Sequence, residues 1–176
     1  MNASPSPVVR QLTTVTPAQL EQLVDVLLDC VAGGASVSFM LPLSREHARR
    51  FWQGVAGETA RGGRILLVAE DAQGFCGTVQ LILDLPENQP HRADLAKMLV
   101  HRRARRQGLG AKLMAATEAS ARAAGRTLLV LDAVTGGDGA RLYERLGWTR
   151  VGDIPNYALY PGGGSCGTTY YYRNLA

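Results

Sequence analysis

The chain is poor in cysteine, and the three it has among 176 residues carry no pattern. Cys30, Cys76 and Cys166 lie far apart, with no C-x-x-C pair and no matching histidine spacing, which excludes a disulfide framework and a zinc site and predicts no metal. Idle or buried thiols are the expectation. Also missing is any apolar run approaching the ~20 residues that span a bilayer. The opening Met1-Asn2-Ala3-Ser4-Pro5-Ser6-Pro7 has no basic region leading into an apolar one, so no membrane partner and a cytoplasmic location are expected. Strong charge of one sign is lacking too. A formal net charge of +4 suits an anionic ligand but falls short of the dense clusters of a dedicated nucleic-acid binder. The basic run His101 to Arg106 has no interleaved aromatic residues, which argues against nucleic acid as a partner.

What is present suffices for one domain. With 46% hydrophobic residues, a chain of this length builds a core without staples. Residues 1–7 read as a polar, disordered tail and 8–176 as the domain. Val8 to Thr14 reads as a strand. Thr16-Pro17-Ala18-Gln19 starts a helix through a capping box with proline in the first turn, and Leu20, Leu23, Val24, Leu27, Leu28 and Val31 form its apolar stripe until Gly33-Gly34. A second helix after Ser44 turns Ala48, Phe51, Trp52 and Val55 inward and ends near Gly62-Gly63. Ile65 to Glu70 and Phe75 to Leu85 read as an antiparallel hairpin, and Arg92 to Val100 as the next strand. A helix from Leu109 to Gly125 presents Leu109, Leu113, Ala116, Ser120 and Ala123 on one face. The apolar strand Leu128 to Leu131 reads as covered on both faces. Ala140 to Leu146 follows as a short helix, Trp148 to Ile154 as a strand, Pro155 to Gly167 as a long glycine-rich loop, and Thr168 to Arg173 as the last strand. This order mixes an antiparallel start with a parallel crossover, which makes the class α/β or α+β with one central mixed sheet and helices on both sides.

The richest chemistry lies where strand Met98-Leu99-Val100 runs through a basic loop into Arg105-Arg106-Gln107-Gly108-Leu109-Gly110-Ala111. Glycines let the backbone curl close to a ligand, and the free N–H groups of the helix that follows face an anion along the helix dipole. That combination is a socket for a pyrophosphate.

Arg105 to Gly110 resembles the R/Q-x-x-G-x-G/A pyrophosphate loop of the GNAT superfamily of acetyl-CoA-dependent N-acetyltransferases. Some 30 residues later, Ala140-Arg141-Leu142-Tyr143-Glu144-Arg145-Leu146-Gly147-Trp148 is similar to the A-x-x-Y-x-x-x-G-F/W element of the same superfamily. The resemblance implies a single GNAT-like domain with a mixed, mostly antiparallel sheet of about seven strands between helices. It implies acetyl-CoA as cosubstrate, with Met98, Leu99 and Val100 pairing with the pantetheine arm and residues Arg105 to Ala111 around the pyrophosphate. Where the family commonly carries a pantetheine-binding asparagine, this chain has Gly136, with Asp138 nearby as a replacement. Gly33 to Met40 and Thr149 to Tyr157 further resemble the tabtoxin-resistance acetyltransferases, which implies a small primary amine as acceptor, an amino-acid-like toxin or antibiotic among the options. Ser36, Phe39, Met40 and Tyr157 would then wall its pocket.

The resemblance places Tyr143 where the family often has its general acid, and a phenol of pKa ~10 can protonate a leaving thiolate. Asp132, at the C-terminal end of the apolar strand, is the candidate base for an amine that attacks directly; its ordinary alternative is to hold a loop N–H or an arginine, and Glu70 and Asp84 are rivals. His101 reads as solvated on the exposed loop. A non-catalytic acyl-CoA sensor is the competing function, and a homodimer is compatible with either.

Overall fold

The computed structural model describes residues 6–175. Most of the expected tail, residues 1–5, lies outside the described residues, and Ser6 and Pro7 carry no regular structure. The elements run β1 (Val8–Leu12), α1 (Pro17–Ala32), α2 (Arg45–Ala60), β2 (Arg64–Asp71), β3 (Gly74–Ile82), β4 (Arg92–Val100), α3 (Leu109–Ala123), β5 (Leu128–Val134), α4 (Asp138–Arg145), β6 (Thr149–Leu159) and β7 (Ser165–Asn174). The strands form one seven-stranded sheet in the order β1-β2-β3-β4-β5-β7-β6. Only β4 and β5 are parallel; every other neighbouring pair is antiparallel.

Local chemistry sets the first helix as expected. Thr16 Oγ1 accepts from the Gln19 N–H at 3.3 Å while Gln19 Oε1 accepts from the Thr16 N–H at 2.9 Å, closing the capping box ahead of Pro17. Two cores result, one on each face of the sheet. Leu23, Leu27 and Trp52 of α1 and α2 pack on Leu66, Val68 and Leu99. Leu109, Leu113 and Met114 of α3 and Ala140 and Tyr143 of α4 pack on Leu67, Val79, Leu129 and Tyr171.

Four expectations change. Strand β1 ends at Leu12, two residues short of Thr14. The buried face of α3 is Leu109, Leu113, Met114, Thr117 and Ala121, whereas Ser120 is half-buried and Ala123 exposed. Strand β5 is sealed on one face by Leu129 and Leu131, but Leu128 and Val130 are half-buried, because α1 and α2 lie over β2 to β4 and leave β5 uncovered. Finally, most of the expected loop from Pro155 to Gly167 is strand: β6 runs on to Leu159, β7 begins at Ser165, and the connecting turn is short. Among the described residues no helix is long and apolar enough to cross a membrane. Because Leu113 is fully buried between α3 and the sheet, Leu113→Ala is expected to lower unfolding stability by about 2 to 5 kcal/mol in denaturant titration.

Candidate active site

The site begins with a defect in β4. Thr78 pairs with Leu99 but Gln80 pairs with Ala96, so β4 carries one extra residue there, and Lys97 has a φ of +50°. This β-bulge reverses the alternation of the strand. Leu95 belongs to the α3 and α4 core, while Leu99, an even number of residues on, belongs to the α1 and α2 core. Ahead of the bulge β4 has already lost its parallel partner. Its register with β5 covers only Arg92 to Asp94, and the two strands then diverge around a cleft of about 1060 Å³ lined by Leu95 to Val100 on one side and Asp132 to Val134 on the other.

The loop after β4 is held in place by two of its arginines. The Arg102 backbone N–H and guanidinium donate to Asp29 at 2.7 and 2.8 Å. Burial pushes the Asp29 carboxyl up, but these bonds outweigh it and hold the group below its usual range. Arg103 pairs with Asp71 and donates to the Phe75 carbonyl at 3.1 Å. His101 is half-buried rather than solvated, because its Nδ1 accepts from the Arg103 N–H at 3.2 Å and caps a single 3-10 turn. Arg105 and Arg106 face the cleft, with Arg105 Nε donating to the Val100 carbonyl at 3.0 Å. Gln107 is absent from the lining: its side chain turns back to the Arg103 carbonyl at 3.1 Å.

Arg106 and Gly108 both take left-handed backbone, with φ of +63° and +76°, which curls the chain into the start of α3. Gly108 has no side chain to cap that helix. The first bond within it is Lys112 N–H to the Gly108 carbonyl at 3.2 Å, which leaves the amides of Leu109, Gly110 and Ala111 free at the positive end of the dipole. Gly110 lies in the lining of the cleft as well. A Cβ there would lie 2.9 Å from Leu142 Cδ2, the tip of a side chain on α4.

Tyr143 is 5% exposed, with its ring 5.8 Å from Trp148 and 6.0 Å from Tyr171. It lines the cleft, and among the described residues its hydroxyl has no hydrogen-bond partner and is not among the sealed polar atoms. Burial pushes the phenol up, reinforced by the Asp132 carboxylate, so it holds its proton throughout the physiological range. Asp132 lines the same cleft, and among the described residues it holds neither a loop N–H nor an arginine: its carboxylate accepts from Thr168 Oγ1 at 2.9 Å. Glu70 and Asp84 do not line the cleft; Glu70 pairs with Arg10 at 2.8 Å. Asp138 lines it as the first residue of α4, but its carboxylate is held by Arg141 at 2.6 Å, a bond that keeps it below the usual range.

Of the expected acceptor residues only Ser36 lines the cleft, donating to the Leu159 carbonyl at 2.8 Å. Phe39 is turned into the core, edge-on to Phe51 and His47. Met40 is exposed and outside the lining, as is Tyr157, whose hydroxyl is 3.0 Å from that of Tyr170. Ser38, from the segment expected to form the pocket, and Tyr160 line the cleft too, together with Lys97, which was missed. The readable signal for Lys97 was a lysine inside the apolar run Leu95 to Val100.

Comparison with known proteins decides what such a cleft belongs to. The family model for the acetyltransferase (GNAT) domain matches residues 62–150. An uncharacterized N-acetyltransferase of the hisH-hisA intergenic region of Azospirillum brasilense is 33% identical over 126 residues, 70% of this chain and 73% of its own. The chain belongs to the GNAT acetyltransferase family. It is an acetyl-CoA-dependent N-acetyltransferase. Solved GNAT structures share the fold at low identity. The proposed acetyltransferase yncA of Salmonella typhimurium, solved with its cofactor acetyl-CoA, superposes with a TM-score of 0.78 at 17% identity, covering 98% of this chain and 95% of that one. A ribosomal-protein-alanine N-acetyltransferase of Brucella melitensis gives 0.79 at 21%, covering 95% and 99%. The cleft suits the cosubstrate: free amides and two arginines answer a diphosphate, and the edge of β4 that β5 has left can pair with an amide-bearing arm.

Several groups around this site hold protons more tightly when folded. Burial pushes the Cys76 thiol up to about 11, the hydrogen bond with Tyr157 and burial push Tyr170 up to about 12, and Tyr143 is raised as well. Groups with raised values stabilise fully below their unfolded pKa, and that contribution is lost as pH rises through the folded one. The thermal midpoint is therefore expected to fall progressively above about pH 9, and less steeply in Tyr143→Phe, as scanning calorimetry across pH would show.

Proposed function

We propose that this acetyltransferase acts on a primary amine of a small molecule, by direct attack, with Asp132 as general base and Tyr143 as general acid. The observation that carries the small acceptor is a roof. The segment between α1 and α2 is bonded to the turn between β6 and β7, through Ser36 to the Leu159 carbonyl at 2.8 Å and the Leu41 N–H to the Pro161 carbonyl at 2.9 Å. A cleft covered at that end suits a compact acceptor better than a polypeptide. A detoxifying role on an amino-acid-like toxin or antibiotic is favoured by the likeness of residues 33–40 and 149–157 to the tabtoxin-resistance enzymes, and residues 33–38 of the first segment line the cleft.

Met98, Leu99, the loop from Arg105 to Ala111 and the side chains of Arg105 and Arg106 would hold acetyl-CoA, which supplies the acetyl group as a thioester. An alkyl amine arrives as ammonium, with a pKa of ~10, and must lose a proton to become a nucleophile. Asp132 accepts that proton directly or through water, its carboxylate oriented by Thr168. The departing thiolate needs a proton in turn, and Tyr143 donates it. Burial keeps the phenol protonated, the form in which it can donate to the departing sulfur.

Radiolabelled acetyl transfer to a panel of small amines is the direct test. Tyr143→Phe is expected to lower kcat by about 10²- to 10⁴-fold while calorimetric acetyl-CoA binding is retained. A wild type that binds acetyl-CoA and acetylates none of the amines would point to the sensor function instead.

A further inference from the structure

Among the described residues, Lys97 is the cation on the acceptor side of the cleft that the reaction above does not use. The bulge gives it left-handed backbone and carries its side chain toward the α1 and α2 face. There Nζ donates to Ser38 Oγ at 3.0 Å and lies 5.9 Å from the centre of the Phe51 ring. Ser38 is itself left-handed, at a φ of +77°, so two non-glycine residues in a sparsely populated conformation meet at this contact. An ammonium has three N–H donors. Among the described residues Lys97 has the Ser38 bond and no carboxylate within ion-pair distance. Burial lowers its pKa, and the Arg64 charge works in the same direction.

Asp132 lines the same cleft and acts on Lys97 electrostatically, opposing that lowering, yet the two form no ion pair. Opposite charges that share a cavity without neutralising each other are complementary to a ligand carrying both signs. We propose that Lys97 and Ser38 bind an anionic group of the acceptor, a carboxylate, while its amine faces Asp132, so that the enzyme selects zwitterionic amines of the amino-acid type. This rests on the small-amine reading and adds a determinant to it. The carboxylate takes up the unused N–H donors of Lys97, and Ser38 orients the ammonium through the existing bond.

The test compares each amino acid that accepts acetyl groups with its own methyl ester, in steady-state transfer assays on the wild-type enzyme and on Lys97→Met and Lys97→Arg. The wild type is expected to favour the free acid by about 10²-fold in kcat/KM. Lys97→Met should bring the acid down to the level of the ester, mainly through KM, and Lys97→Arg should recover part of the preference. A purely structural lysine would instead lower both substrates together. Equal use of acid and ester by the wild type overturns the proposal and leaves the small-amine reading standing, without reliance on any variant. Transfer to neither form of any small amine overturns both.

Discussion

The architecture depends on where β4 stops being an ordinary strand. A parallel neighbour would satisfy its backbone to the end, yet β5 stays with it only from Arg92 to Asp94. Unpaired backbone groups inside a sheet are costly unless water or a ligand meets them. A ligand that brings its own amides removes that cost, which is why the gap suits a pantetheine-like arm. The bulge at Lys97 makes the same short segment serve two cores, sending Leu95 and Leu99 to opposite faces. A single inserted residue therefore changes which face each side chain takes and leaves Lys97 in the lining of the cleft.

The basic loop shows how a run of like charges divides its work. Arg102 and Arg103 are tied to Asp29 and Asp71, carboxylates from α1 and from the end of β2. Neutralised in this way, they act as anchors that fix the loop to both halves of the molecule. Arg105 and Arg106 are left facing the cleft beside the free amides of α3. Four arginines in five positions read alike in a sequence, and their partners, some thirty and seventy residues away, separate them into frame and socket.

Much of this was legible before any coordinates. The capping box at Thr16, the bounds of β4 and the helix after Gly108 follow from local chemistry that tertiary packing did not override. The pairing of Tyr143 with the loop at Arg105 came from spacing within a family pattern. What was hidden arises between elements. The bulge leaves Arg92 to Val100 looking like an ordinary strand, because the signal is a register mismatch with β3 and not a residue type. Ser120 and Ala123 suggested the wrong phase for α3, since small residues sit as well at the border of a face as at its centre. Phe39 resembled a pocket wall and became core, because Phe51 and His47 offered it ring edges.

The glycine and proline richness of residues 155–167 suggested a loop for a sound reason: Gly162 to Gly164 form the turn, while Pro155 is met within β6, which lies at the rim of the sheet. Its eleven residues expose Val151, Ile154, Tyr157 and Leu159. A flat border of that kind would offer a template for another chain to zip onto. Here the ladder to β7 slips between Arg150 and Gly152 and again between Ile154 and Ala158. Pro155 has no N–H to offer, and Asn156 turns left-handed at a φ of +54°. An incoming strand meets the row of hydrogen-bonding groups in short pieces, so the same irregularity that disguised β6 also guards it against fibre-like stacking.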